Sequence, residues 1–139
     1  CIIYGGTGLT ELVSSRWKTQ INENSKAKAF IGSMPEVHHN EILSWQADID
    51  GSMENFILIF LRSPFEHPQI KKRFELSEKL LGDKVQILNI FTKESKDELK
   101  ILMELVLLGD LTSIHLADNL NMRPEDIDTI EELKKLLKG

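Results

Sequence analysis

The chain has 139 residues, the length of one ordinary domain. Hydrophobic residues make up 41% and charged residues 28%, which predicts a folded core and excludes a disordered chain. The net charge is −5 and no basic patch stands out, so a nucleic-acid binder is excluded, while a few local Lys and Arg side chains leave an anionic small molecule open.

Residues 1–4, Cys1-Ile2-Ile3-Tyr4, form a short apolar run of strand type with no initiator Met. A chain rarely opens inside a core element, so this one is expected to be a piece of a longer protein whose preceding domain is missing. Cys1 is the only cysteine, which rules out an internal disulfide and a cysteine-rich metal site and points to a reducing cytoplasm. No basic segment precedes a hydrophobic signal. Gly5-Gly6-Thr7-Gly8 supplies a tight strand-to-helix turn. Leu12, Val13, Trp17 and Ile21 recur at helical spacing and predict a helix over 9–28. Residues 29–32 are a second strand. Pro35 opens a helix expected over 36–45, since its missing N–H costs little in a first turn. Residues 48–52, Asp-Ile-Asp-Gly-Ser, are turn chemistry. Residues 55–61 are apolar on both faces, as in a central parallel strand. Their apolar core, 56–61, is too short to cross a bilayer, so no membrane span is expected. A helix over 69–81 stops at Gly82, and a strand follows over 85–91. Ser95 is the expected cap of a long helix, with Glu98 at capping-box spacing. Gly109-Asp110 is expected to kink or split it. Pro124 starts a last helix reaching about residue 137. Strands alternating with helices predict an α/β fold: a three-layer α-β-α sandwich with a mainly parallel sheet and extra C-terminal helices.

Three segments carry candidate chemistry. The glycine-rich turn at 5–8 has free N–H groups and a helix start, which suit an anion, but its spacing is neither a Walker motif nor a dinucleotide fingerprint, and a plain tight turn serves as well. Glu23 falls near a helix end, flanked by Asn22 and Asn24. The negative end of the helix dipole raises the cost of its ionisation, which suits a base; a solvated polar helix end is the plainer reading. His38 and His39 stand about 100° apart on a helix and so do not share a metal readily. An acid/base imidazole is better motivated, and a surface or cap histidine is the alternative. Lys134 and Lys135 read as solvated charges near a helix end, His115 as a packing or capping group, and Trp17 and Trp45 as core or interface aromatics.

Taken together, Tyr4-Gly5, residues 16–26 (RWKTQINENSK), residues 35–42 (PEVHHNEI), residues 109–117 (GDLTSIHLA) and residues 127–137 resemble the second domain of bifunctional phosphoglucose/phosphomannose isomerases. The resemblance runs over nearly the whole chain and implies a sugar-isomerase (SIS) fold, with residues 1–139 as a single C-terminal SIS domain. It implies interconversion of glucose 6-phosphate or mannose 6-phosphate with fructose 6-phosphate, in glycolysis and gluconeogenesis, with no metal and no other cofactor. Glu23 maps to the base that moves a proton between C1 and C2 through a cis-enediol. His39 maps to the ring-opening acid/base, which in related enzymes reaches the neighbouring subunit's site. Lys134 maps to a ring-opening or charge-stabilising group, with Lys135 adjacent. The amides of Asn22, Asn24 and Asn40 are the expected substrate contacts. The implied partners are a hexose 6-phosphate, an N-terminal SIS domain of the same protein and a second copy in a homodimer. The family's Ser/Thr phosphate loops and an active-site Arg belong to that first domain, so this chain alone is expected to have little or no activity. Three departures stand out: His38 occupies a position where the family often has Asn, Leu43-Ser44 stand where a Gly commonly follows the HNEI segment, and His115 stands where the family usually has Tyr. A non-catalytic SIS module that binds sugar phosphates for regulation or assembly is the alternative. Intervening strand 29–32 is expected to bring Glu23 and His39 either to the sheet's C-terminal edge or to opposite sides of a dimer seam.

Overall fold

The computed structural model describes residues 1–48, 51–92 and 95–138. Four parallel strands, β1 (Ile2–Gly6), β2 (Phe30–Met34), β3 (Ile57–Leu61) and β4 (Gln86–Ile90), lie in the order β2-β1-β3-β4. The helices are α1 (Leu9–Ser25), α2 (Glu41–Ser44), α3 (Pro68–Leu81), α4 (Glu98–Asn119) and α5 (Asp128–Leu137). Alternate residues of the strands face opposite layers, as a pleated sheet requires. Ile3, Ile59 and Leu61 pack with Val13, Trp17 and Ile21 of α1 and Ile101 and Leu105 of α4. Tyr4, Leu58 and Phe60 pack with Phe74 and Leu81 of α3 and with Met34, Val37 and Trp45. The three-layer α/β architecture is therefore the one the alternation of elements predicts. Among the described residues no helix is long and apolar enough to cross a membrane.

Four local expectations need correction. The helix expected over 36–45 is instead a 3-10 turn, Glu36–His38, followed by the four-residue α2. Asn40 breaks it: its side chain accepts a hydrogen bond from the Glu41 N–H, so it caps a new helix rather than continuing the old one. Helix α4 is capped by Asp97 and not by Ser95. The Asp97 carboxylate accepts from the N–H groups of Leu99 and Lys100 at 3.0 and 3.2 Å, while Ser95 Oγ accepts from the Asp97 N–H. Gly109 does not split α4, which is a single helix from Glu98 to Asn119. A Cβ there would run into the Trp17 indole, so the glycine lets α1 and α4 approach closely. In the same contact Trp17 Nε1 donates to the Leu105 carbonyl at 2.8 Å. The last helix begins at Asp128 rather than beside Pro124. Of the expected 48–52 turn, Ile49 and Asp50 lie outside the described residues, and Asp48 Oδ1 accepts from the Met53 N–H at 3.1 Å.

Candidate active site

Glu23 sits in the last turn of α1. Its backbone is braced on three sides. Asn22 Oδ1 accepts from the Ala29 N–H at 2.9 Å, which fixes the turn into β2. Asn24 Nδ2 donates to Ser113 Oγ at 2.8 Å, which ties the turn to α4. Lys26, in the left-handed region at φ 57°, donates from Nζ to the Glu23 carbonyl at 2.6 Å and to the Pro124 carbonyl at 3.2 Å. The Glu23 side chain is exposed on the wall of a groove of about 680 Å3. Thr19, Asn22 and Lys26 share that wall, and Ile127 and Ile130 face them from the start of α5.

His39 lies elsewhere. Helix α1 runs back against the strands, so its end returns to the amino edge of the sheet, where Cys1 O accepts from the Phe30 N–H. His39 follows β2 and the 3-10 turn, at the carboxyl edge. Strand β2 alone spans about 13 Å between the two at ~3.3 Å per residue. The expectation that the intervening strand gathers both groups at the C-terminal edge is thus corrected: within one chain they occupy opposite rims. His39 and Asn40 are both exposed, and the Asn40 side chain is engaged as the α2 cap.

His38, unlike its neighbour, is held. Its Nε2 lies 2.7 Å from Ser77 Oγ and its Nδ1 lies 3.0 Å from Arg73 Nη1. Partial burial, reinforced by the Arg73 charge and then by His39, lowers its pKa from the ordinary 6.5. A lowered value means that the unfolded chain binds more protons than the folded one at mildly acid pH. The neutral ring's contribution to stability is therefore complete above pH 6.5 and fades as pH falls through the lowered value. Urea midpoints at about pH 7.5 and about pH 5 should show wild type losing more stability on acidification than His38→Asn. An equal loss in both would remove His38 as the source.

The remaining candidates are placed as follows. Lys134 and Lys135 are exposed on α5, and His115 is exposed on α4. Trp45, like Trp17, is core; its Nε1 donates to the Tyr4 hydroxyl at 3.3 Å. Burial pushes that hydroxyl's pKa up to about 12. The glycine-rich turn behaves as a plain turn. The Gly6 N–H donates to Thr10 Oγ1 at 2.8 Å and the Thr7 N–H to the Met34 carbonyl at 3.0 Å, so two of its donors are already used. Gly8 takes φ 101°, which favours glycine, and the small cavity beside it is lined by Glu66 and Glu98, which disfavour an anion. Among the described residues no three His, Cys, Asp or Glu side chains gather as a metal cluster.

Sequence reasoning missed Arg62 and Glu66. They form a two-pronged ion pair at the end of β3, with both hydrogen bonds at 2.8 Å and side chains only 5% and 6% exposed. The Arg62 guanidinium also stands 4.6 Å from the Phe74 ring centre. The one available signal was a charged pair flanking Ser63-Pro64 directly after a buried strand.

A parallel sheet with helices on both faces, and an acidic group on the wall of a groove at one rim, defines a doubly wound α/β domain with a candidate proton-transfer site. Residues 1–137 match the family described as the bacterial phospho-glucose isomerase C-terminal SIS domain, and the chain belongs to that family. It is 33% identical over 138 residues to the bifunctional phosphoglucose/phosphomannose isomerase of Aquifex aeolicus, covering 99% of this chain and 42% of that protein. It is 31% identical over 136 residues to the protein of the same description from Caldicellulosiruptor bescii, covering 98% of this chain and 40% of that protein. A more distant relative, 27% identical over 123 residues, is the D-glucosamine-6-phosphate 4-epimerase of Sulfolobus acidocaldarius, with 88% of this chain and 35% of that protein covered. The chain therefore spans about two fifths of the length of the two isomerases.

Proposed function

We propose that the chain is the sugar-handling C-terminal domain of an aldose–ketose isomerase that interconverts glucose 6-phosphate or mannose 6-phosphate with fructose 6-phosphate. The observation that carries this reading is Glu23 itself: an exposed carboxylate on a braced helix end, on the wall of a groove large enough for a monosaccharide phosphate. A rigidly held carboxylate suits enediol chemistry, which needs one base to take a proton and return it to the adjacent carbon. Glu23 removes the C2 proton of the open-chain aldose and delivers it to C1 of the cis-enediol. Lys134, with Lys135 adjacent, is the cation assigned to the developing negative charge. Both Lys134 and Lys135 lie exposed on α5, the helix whose first turn lines the groove. Asn22 shares the groove wall and, with its Oδ1 engaged by the Ala29 N–H, offers its Nδ2 to a sugar hydroxyl, whereas the Nδ2 of Asn24 is engaged by Ser113.

Ring opening falls to His39, supplied by a second subunit, because His39 and Glu23 of one chain stand on opposite rims. Phosphate binding falls to an N-terminal SIS domain of the same protein, without which this chain is inactive. Exposed apolar side chains support such partners: Leu99, Met103 and Leu107 stand in one stripe along α4, and Leu133 and Leu137 lie exposed on α5. This enediol route needs no cofactor.

The test is a coupled assay of the full-length protein with both hexose 6-phosphates, wild type against His39→Ala. Fructose 6-phosphate should form from both, and His39→Ala should slow closed-ring substrate by roughly a hundredfold while sparing an open-chain aldose phosphate. Equal losses on the two would remove His39 from ring opening. Tight binding without any turnover would assign the non-catalytic module instead, and inversion at C4 would assign an epimerase.

A further inference from the structure

His38 has no part in the chemistry above, yet its hydrogen bonds can be assigned a direction. A guanidinium only donates, so Arg73 Nη1 at 3.0 Å makes His38 Nδ1 an acceptor. The neutral ring then carries its proton on Nε2, and Nε2 donates to Ser77 Oγ at 2.7 Å. The Ser77 hydroxyl is spent in turn on the Arg73 carbonyl, which it reaches at 2.9 Å. Ser77 is 1% exposed, so each partner in this closed circuit depends on the next.

The circuit has a mechanical consequence. Both of its ends are on α3, and His38 is the last residue of the 3-10 turn that carries the chain into His39. Within that turn Val37 is the core anchor, at 2% exposure, and His38 is the polar one. His39 and Asn40, next along, are exposed. The backbone from which His39 is presented is therefore fixed by the pair of anchors just before it. We propose that His38 is a positioning residue for His39: by joining Arg73 and Ser77 it clamps the turn to α3 and holds the ring-opening imidazole in one place. This rests on the reading of His39 given above. Asparagine is the substitution that retains the logic, since its amide also offers one acceptor for Arg73 and one donor for Ser77.

The experiment has two arms on the full-length protein. Nitrogen-15 NMR of the histidine rings should show His38 as the Nε2–H tautomer, with Nδ1 unprotonated, near neutral pH. Kinetically, His38→Ala and Ser77→Ala should each lower turnover of closed-ring hexose phosphate by roughly tenfold to a hundredfold. Their KM and their turnover of open-chain substrate should stay near wild type, and His38→Asn should restore most of the loss. An Nδ1–H tautomer, wild-type ring opening in His38→Ala, or equal losses on closed and open substrate would overturn the proposal. If His39→Ala slows ring opening and His38→Ala does not, the positioning role alone fails. If neither does, the reading of His39 fails and the proposal with it.

Discussion

Replacing Glu23 with Gln in the full-length protein should lower turnover of both hexose 6-phosphates by roughly 10²–10⁴-fold, with KM within a few-fold of wild type. Each factor of ten is about 1.4 kcal/mol, so the expected loss corresponds to about 3–6 kcal/mol of transition-state stabilisation. The amide fills the same volume and can still accept a hydrogen bond from the sugar, but it cannot take and return a proton. The fold should survive, because what braces the turn is Asn22, Asn24 and Lys26 rather than the Glu23 side chain. Circular dichroism and the thermal midpoint of the variant should match wild type. Turnover near the wild-type rate would remove Glu23 as the base, whatever the other variants do.

The largest effect on stability is expected far from that groove. Truncating Glu66 to Ala leaves the Arg62 guanidinium, 5% exposed, without its counter-charge and without two hydrogen bonds. Breaking a buried pair from one side costs about 3–5 kcal/mol. In a domain of this size that lowers the melting temperature by about 10 °C or more. The Ser63 N–H, which donates to Glu66 Oε1 at 2.9 Å, loses its acceptor as well. The double variant Arg62→Met, Glu66→Leu should recover much of the loss, because it removes the stranded charge along with its partner. If Glu66→Ala melts within about a degree of wild type, the pair is not the anchor of the β3 edge that its burial implies.

Strand β3 was readable because it is apolar on both faces, as a covered parallel strand is, and the helix over 68–81 was readable from its amphipathic period and the Gly82 stop. Other features depend on partners distant in the chain. Gly109 reads locally as a weak point in a helix, and only the Trp17 ring pressed against it shows why a glycine stands in an unbroken one. The PEVHHNEI segment has nothing that forbids a helix; its break comes from the Asn40 side chain competing for the Glu41 N–H. Arg62 and Glu66 look like solvated charges until the β3 end is folded over Phe74. Of the candidate site, Glu23, its flanking amides and the two histidines were all visible as residues. Their placement was not, because periodicity says where a helix lies and not which rim its last turn reaches. The different fates of His38 and His39 were also hidden, since both of His38's partners come from α3.

On the roles proposed for Glu23 and His39, their rim-to-rim separation makes assembly a part of the chemistry. When one copy owns the proton carrier and another the ring opener, an isolated subunit holds two half-sites and no whole one. Specific activity of the full-length protein on cyclic sugars should then fall on dilution, following dissociation of the pair, while any open-chain turnover should persist. A cell that adjusts how much of this polypeptide it makes would thereby adjust catalytic output more steeply than in proportion to copy number.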